Sequence, residues 1–173
     1  MHPTILGTLT LHWPDEAACE AFALRLAAQP ELRKLFVELH GPLGAGKTTF
    51  VRHLLRALGA TGRIKSPTYA VMEPYELPGL DAWHFDFYRF NDPREWEDAG
   101  FREVLTGPGL KLVEWPDKAG ELLPVPDIRV DLAPLPPEHF EPMTEDALPT
   151  SPRDVTLKAY SPTGLTLLQS IRA

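Results

Sequence analysis

The segment from Gly41 to Thr48 constrains the fold more than any other part of this sequence. It reads Gly-Pro-Leu-Gly-Ala-Gly-Lys-Thr, which is the pattern G-x-x-x-x-G-K-[ST] of a phosphate-binding loop. In such a loop, backbone N–H groups wrap around a phosphate in conformations that a Cβ atom would block, and this explains the glycines. The pattern requires a strand before the loop and a helix after it.

Both flanks of the loop have the periodicity that this context requires. Residues 35–40 form a short apolar run that predicts a buried strand. From Thr48 to Leu58 the apolar residues recur at helical spacing, and Gly59 ends the pattern. We therefore predict a nucleotide site in which Lys47 reaches the β- and γ-phosphates and Thr48 binds Mg²⁺.

The candidate phosphate-contacting residues extend through the loop into the first turn of the predicted helix. Free N–H groups and the helix dipole favour an anion at that end of a helix. These candidates are Gly41, Leu43, Gly44, Ala45, Gly46, Lys47, Thr48 and Thr49.

Helical and strand patterns alternate along most of the chain and predict one α/β domain over residues 1–173. Predicted strands cover residues 5–13, 70–72, 82–90, 110–115 and 128–132, and predicted helices cover 17–28, 92–97 and 101–105. We expect a phosphate-loop NTPase-like fold with a central parallel sheet and flanking antiparallel strands.

A proline-rich loop and a β tail are predicted for the C-terminal part. Residues 133–152 contain six prolines and several acids without periodicity, which indicates a surface loop or partly disordered insertion. Residues 154–160 and 165–171 predict a final β-hairpin around a Pro-Thr-Gly turn, so that the β tail covers 153–173.

Two acids lie inside apolar strand patterns, where an unpaired charge is costly. They are Asp86, in the segment His-Phe-Asp-Phe-Tyr-Arg, and Glu114, near the end of Leu-Val-Glu-Trp-Pro. Phosphate-loop proteins need a carboxylate on a neighbouring strand to hold Mg²⁺ or orient the attacking water. Both are therefore candidate catalytic and metal-side groups together with Lys47, and the sequence does not assign the two roles between them. Arg89 is compatible with pairing to Asp86, with phosphate contact or with covering the strand.

Composition limits the range of partners and locations. The net charge is −7, and an acidic chain is a poor autonomous binder of DNA or RNA. Cys19 is the single cysteine, which excludes an intrachain disulfide and a zinc cluster. No run approaches the roughly 18 apolar residues of a membrane span, and the N-terminal residues lack a secretory signal pattern. We expect a cytoplasmic protein.

Other classes of phosphate-loop protein fit the sequence less well. A GTPase usually reads guanine with an Asn-Lys-x-Asp segment, and Asn91 is followed instead by Asp92. A small-metabolite or nucleoside kinase usually needs a basic lid, for which Arg63 and Lys65 are few. A nucleotide-dependent binding switch with incidental hydrolysis remains an alternative, as does the kinase.

Four motifs in order resemble the TsaE family, formerly YjeE. They are the phosphate loop extended to Phe50, Ser-Pro-Thr-Tyr at 66–69, His-Phe-Asp-Phe-Tyr-Arg at 84–89 and Val-Glu-Trp-Pro at 113–116. The resemblance runs from about residue 5 to 132, and residues from 153 onward look compatible with it. Because four motifs recur in order in a chain of this size, the match is far more specific than the loop alone.

The resemblance implies an Mg²⁺-dependent ATPase of the pathway that makes threonylcarbamoyladenosine in tRNA. It implies slow ATP hydrolysis that rises with the partners TsaD and TsaB, which perform the transfer and would connect this protein indirectly to tRNA. It also implies that Glu114 is a metal-side group, that Asp86 is needed for hydrolysis, and that Trp115 lies beside the nucleotide. A switch-like loop is implied for Ser66, Pro67, Thr68 and Tyr69.

The sequence departs from the family pattern in two places. Family members often carry a threonine near the nucleotide base, in the helix after the first strand, and the alignment puts Cys19 at that position. Cys19 is therefore a candidate base contact of altered chemistry. The proline-rich insertion at 133–152 is longer than the resemblance leads us to expect, and no role is assigned to it.

Overall fold

A computed structural model describes residues 3–64, 67, 70–90, 100–135 and 152–172. Within these residues the strands are β1 (Gly7–Trp13), β2 (Phe36–His40), β3 (Met72–Leu77), β4 (Leu80–Asp86), β5 (Leu110–Glu114), β6 (Ile128–Pro134) and β7 (Arg153–Ala159). The helices are α1 (Glu16–Ala27), α2 (Lys47–Ala57), α3 (Phe101–Thr106) and α4 (Pro162–Arg172), with short 3-10 helices at Pro30–Lys34 and Pro116–Leu122.

All seven strands form one sheet in the order β1-β7-β6-β2-β5-β4-β3. Its centre is parallel, because β2 pairs in parallel with β5 and β6, and β4 pairs in parallel with β5. Antiparallel strands flank this centre, with β7 and β1 on one side and β3 on the other. The predicted fold class is confirmed. The carboxyl ends of β2, β4, β5 and β6 therefore meet at one edge, where ligands bind in such sheets.

Helices α1 and α2 pack together and place the phosphate loop at this edge. The side chain of Asp15 caps α1 by accepting a hydrogen bond from the N–H of Ala18 at 2.9 Å. The buried face of α2 carries Phe50, Val51, Leu54 and Leu55, and its 3.6-residue spacing is the pattern that predicted the helix. Trp13 at the end of β1 packs on the ring of Phe50 with 5.7 Å between centroids.

The predicted C-terminal hairpin is wrong in its second half. Residues 162–172 form the helix α4, and β7 pairs between β1 and β6 instead of forming a terminal hairpin. The hydroxyl of Ser161 accepts a hydrogen bond from the N–H of Gly164 at 3.0 Å, and Pro162 occupies the first helical position. Serine followed by proline is a helix start, and the sequence interpretation took the same residues for a turn.

Several predicted boundaries change, and some predictions lie outside the described residues. Strand β4 ends at Asp86, although the aromatic alternation continues to Phe90. Strand β3 covers Met72–Leu77, past the predicted end at residue 72, because it pairs along its length with β4. The predicted helix at 92–97 and most of the proline-rich loop lie outside the described residues.

Candidate nucleotide-binding site

The loop between β2 and α2 has the left-handed glycine conformations that its sequence requires. Gly44 has φ of 82° and Gly46 has φ of 97°, a region in which side chains with a Cβ are strained. Gly41, at the start of the loop, lies against β6, and a Cβ there would be 2.7 Å from the carbonyl oxygen of Leu132. The loop is thus held close to the sheet while its other face is open to a ligand.

Lys47 is folded back into the loop that it follows. Its ammonium group donates hydrogen bonds to the carbonyl oxygens of Gly41 and, at 3.4 Å, Pro42. It also lies 3.6 Å from the ring centroid of Trp115, a cation–π distance. Burial lowers the pKa of Lys47, and the carboxylates of Glu114 and Asp86 act against that shift. A buried cation held by neutral carbonyls and a ring is ready to exchange these contacts for an anionic ligand.

Thr48 and Glu114 join α2 to the neighbouring strand β5. The hydroxyl of Thr48 lies 2.9 Å from Oε1 and 3.1 Å from Oε2 of Glu114. Glu114 is 2% exposed, and its Oε2 lies 2.5 Å from Nε2 of His84 on β4. Because a carboxylate only accepts, Nε2 of His84 is the donor. Two donors from two different elements therefore fix the orientation of this buried carboxylate.

Asp86 is the register partner of Glu114 across the parallel pair of β4 and β5. It is half-buried, and its Oδ1 accepts a hydrogen bond from the N–H of Tyr88 at 2.9 Å. Desolvation raises the pKa of Asp86, against the effects of the Tyr88 hydrogen bond and of the nearby charges of His84 and Lys47. The two predicted acids are thus brought together at the carboxyl edge of the sheet.

Trp115 covers this group of charges in a strained backbone conformation. Its φ is 56° and its ψ is 49°, a left-handed geometry that residues other than glycine seldom adopt. Such strain is retained where the surrounding structure requires it, frequently at functional sites. The ring also contacts Tyr88, with 4.9 Å between centroids.

These side chains border one open cavity of about 360 Å³. Its lining residues are Leu43, Gly44, Ala45, Gly46, Lys47, Thr48, Thr49, Asp86, Tyr88, Glu114, Trp115 and Arg153. The set contains ten of the twelve residues that the sequence proposed as catalytic, metal-binding or nucleotide-binding groups, and these ten come from three separate segments of the chain. Gly41 lies behind the cavity as a support of the loop.

The structure does not bring Cys19 to this cavity. Cys19 is fully buried on the inner face of α1 with Phe22, Ala23 and Leu26, at helical core spacing. Burial raises the pKa of its thiol to about 12. The alignment position is therefore occupied by a packing residue, and the predicted base contact has no counterpart in the geometry.

The predicted switch segment is described at one position. Ser66, Thr68 and Tyr69 lie outside the described residues. Pro67 is buried and borders a smaller cavity of about 110 Å³ together with Asp86, Tyr88 and Arg89. Pro67 therefore lies at the same small cavity as Asp86.

Sequence reasoning missed three residues of this site. The sequence interpretation assigned no individual role to His84 or Tyr88, and it placed Arg153 in a tail without a role. For His84 a signal existed, because a histidine two residues before Asp86 on a strand points to the same face. Arg153 follows a long proline-rich segment, and its position depends on the pairing of β7.

The model of the family described as "Threonylcarbamoyl adenosine biosynthesis protein TsaE" matches residues 13–138. The chain belongs to the TsaE family. The resemblance inferred from the four motifs is confirmed, and the matched range contains every residue of the cavity except Arg153.

Curated relatives carry the same family name. The protein named tRNA threonylcarbamoyladenosine biosynthesis protein TsaE from Haemophilus influenzae is 39% identical over 131 residues, which is 73% of this chain and 83% of that protein. The TsaE protein of Bacillus subtilis is 43% identical over 86 residues, which is 50% of this chain and 53% of that one.

A solved structure supports the fold assignment. The crystal structure of Bacillus subtilis YdiB superposes with a TM-score of 0.72 and 24% sequence identity, covering 98% of this chain and 97% of that chain. In the described part of the chain, no helix has the length and apolar character to cross a bilayer.

Proposed function

We propose that this TsaE-family chain binds ATP with Mg²⁺ and hydrolyses it in the biosynthesis of threonylcarbamoyladenosine in tRNA. The observation that carries the proposal is the pairing of the Thr48 hydroxyl with the Glu114 carboxylate beside Lys47, at the start of α2. Hydroxyl, carboxylate and lysine are the three side-chain types that phosphate-loop enzymes direct at a metal–nucleotide complex.

The donor set fits Mg²⁺, which prefers oxygen ligands. Thr48 and Glu114 would hold the ion, and when bound it would neutralise charge on the β- and γ-phosphates. Among the described residues no cluster of three or more His, Cys, Asp or Glu side chains is arranged to bind a metal. This agrees with a nucleotide-dependent ion, because Mg²⁺ is usually held by one or two protein groups together with substrate phosphates.

The two acids take different roles in this proposal. Glu114 is committed to Thr48 and His84, so it serves the metal side. Asp86 faces the cavity with one oxygen held by the N–H of Tyr88, and we assign it to orienting the attacking water. Lys47 and the N–H groups of the loop stabilise the charge that develops on the phosphates.

Membership of the TsaE family supports a proposal for the wider role. We propose that hydrolysis supports turnover of the TsaD–TsaB transferase in the cytoplasm, with tRNA reached through that complex. A nucleotide-dependent switch is the second candidate, because Pro67 of the predicted switch segment lies beside Asp86. In the first role ATP hydrolysis in the complex is required for function. In the switch role nucleotide binding is sufficient and hydrolysis is incidental.

Nucleotide binding and phosphate release by the purified protein test the site. We expect ATP binding and slow Mg²⁺-dependent release of phosphate, with both lost in Lys47→Ala while the far-UV circular dichroism is unchanged. Wild-type hydrolysis by Lys47→Ala would refute the site assignment. Phosphate transfer only after an acceptor is added would indicate the kinase alternative, and no acceptor-free release would then be seen.

A further inference from the structure

Arg153 approaches the phosphate loop from the side opposite the two acids. It is the first residue of β7 and pairs with Pro134 at the end of β6. Because β7 is antiparallel to β6, its first residue lies at the same edge as the carboxyl ends of the parallel strands. Asp86 and Glu114 lie on β4 and β5, on the other side of β2. The cavity is thus bordered by carboxylates on one side of the loop and by an arginine on the other.

The guanidinium of Arg153 lies directly against the last glycine of the loop. A Cβ built on Gly46 would be 2.6 Å from Cζ of Arg153 and 2.7 Å from one of its terminal nitrogens. Any other residue at position 46 would displace this side chain. Gly46 therefore has a second function besides its positive φ, since it leaves room for a cation at the N-terminus of α2.

Arg153 has no acidic partner within the described residues. Among the described residues Arg153 forms no ion pair, and its Nε is buried without a hydrogen-bond partner. The first N–H groups of α2 lie at the same place and favour an anion by themselves. An arginine that lines the cavity beside the N-terminus of a helix, with no acidic partner in the part of the chain that the structure describes, indicates an anionic ligand that supplies the missing contacts.

We propose that Arg153 is a nucleotide-binding residue that contacts the phosphates nearer the nucleoside, which ATP and ADP share. The inference rests on the proposed nucleotide site and extends it to a residue outside the matched family range. The position of Arg153 relative to the metal-side groups is the reason for assigning it to these phosphates. The metal-side groups Thr48 and Glu114 face the β–γ end, and Arg153 lies across the loop from them.

Equilibrium binding of ATP, ADP and inorganic tripolyphosphate to Arg153→Ala and Arg153→Lys tests the proposal without requiring turnover. Lys158→Ala is the matched control, because it removes one positive charge from the same strand at a residue outside the cavity. Melting temperatures without ligand separate a binding loss from a folding loss. Arg153→Lys keeps the charge if Arg153→Ala does not fold.

We expect Arg153→Ala to weaken ATP and ADP by similar factors of roughly tenfold to a hundredfold, the usual range for a charge-assisted contact. Tripolyphosphate should weaken as well, Arg153→Lys should recover part of the loss, and Lys158→Ala should bind as the wild type does. A loss confined to ATP would indicate a γ-phosphate contact and overturn the assignment. A loss for both nucleotides but not for tripolyphosphate would indicate a base or ribose contact and would also overturn it.

Unchanged nucleotide binding by a folded Arg153→Ala variant would refute the role of Arg153 while leaving the nucleotide site intact. Failure of the wild-type protein to bind any of the three ligands would instead refute the proposed function, and the inference with it. The wild-type titration therefore distinguishes the two failures.

Discussion

The hydroxyl of Thr48 and the carboxylate of Glu114 lie within hydrogen-bond distance, at 2.9 Å and 3.1 Å to the two carboxylate oxygens. Thr48 is the second residue of α2, and Glu114 ends β5, 66 residues later in the chain. This contact joins the phosphate loop to the strand beside it. It also holds two oxygen ligands of the kind that Mg²⁺ prefers next to the lysine that would meet the phosphates.

Replacement of Thr48 by valine tests the contribution of the hydroxyl without changing the shape of the side chain. Valine has nearly the same volume but has no hydroxyl to bind Mg²⁺ or to donate to Glu114. We expect Mg²⁺-dependent phosphate release to fall by roughly a hundredfold, and the free energy of unfolding to fall by about 1–3 kcal/mol because Glu114 loses a donor. Thr48→Ser is the control and should keep most of the activity. Equal rates for the valine and serine variants would contradict the proposed role of the hydroxyl.

His84 should act on the reaction through Glu114. Its imidazole is 1% exposed and donates to the carboxylate, while its Nδ1 has no partner in the described structure. His84→Phe keeps the bulk and removes the donor, so we expect a roughly tenfold to hundredfold rise in the Mg²⁺ concentration needed for half-maximal activity. His84→Gln can still donate and should recover part of the loss. If the histidine were only a packing residue, both variants would show the wild-type Mg²⁺ dependence.

The burial of Asp86 predicts that stability depends on pH. Desolvation raises the pKa of Asp86 above its ordinary value of 3.8, so its ionisation opposes folding. This unfavourable contribution is absent at low pH, grows as pH rises through 3.8, and is complete above the raised pKa of the folded state. Asp86→Asn should therefore unfold at a higher temperature than the wild type at neutral pH. This difference in melting temperature should disappear at about pH 3.

Asp86→Asn should lower the rate of phosphate release even though it raises the unfolding temperature at neutral pH. Asparagine keeps the acceptor for the N–H of Tyr88 but has no carboxylate, so phosphate release should fall at every pH. Asp81, an exposed acid on the same strand, provides the matched control as Asp81→Asn. An Asp86→Asn protein less stable than the wild type at neutral pH would show that the carboxylate is favourably paired in the folded state.

Replacement of Gly164 by alanine tests how closely α4 packs against Asp127. Gly164 lies in α4, and a Cβ there would be 2.4 Å from the carbonyl oxygen of Asp127. Alanine normally stabilises a helix interior by about 1 kcal/mol relative to glycine, but here the clash should reverse the sign and cost about 1–3 kcal/mol. Urea denaturation measures the change, with exposed Ser170→Ala on the same helix as the control. A Gly164→Ala variant as stable as the wild type would contradict the packing of α4 on Asp127.

Local sequence patterns predicted the parts of the fold that local interactions determine. The phosphate loop, the strand before it and the helix after it were confirmed, because glycine positions and periodicity are properties of a short segment. Asp86 and Glu114 were proposed as site residues from their strand context, and the structure places them next to each other as register partners.

The errors of the sequence interpretation occur where long-range pairing decides. β7 enters the sheet between β1 and β6, and nothing in its own residues specifies those neighbours. This insertion brings Arg153 to the phosphate loop, so a residue 107 positions after Gly46 in sequence becomes its neighbour. The predicted base contact at Cys19 differs from the structure for another reason. An alignment position gives no information on which face of α1 is buried, and the core spacing with Phe22 and Ala23 decides it.

Phosphate release from Mg²⁺–ATP, with the protein alone and with the TsaD–TsaB pair of the same source, decides whether this protein is a partner-stimulated ATPase. We expect slow release by the protein alone and a severalfold faster release with the pair. Both should be lost in Lys47→Ala, because the removed ammonium would otherwise stabilise the phosphate charge. A pair that is active in threonylcarbamoyl transfer but leaves the rate of ATP hydrolysis unchanged would contradict this expectation.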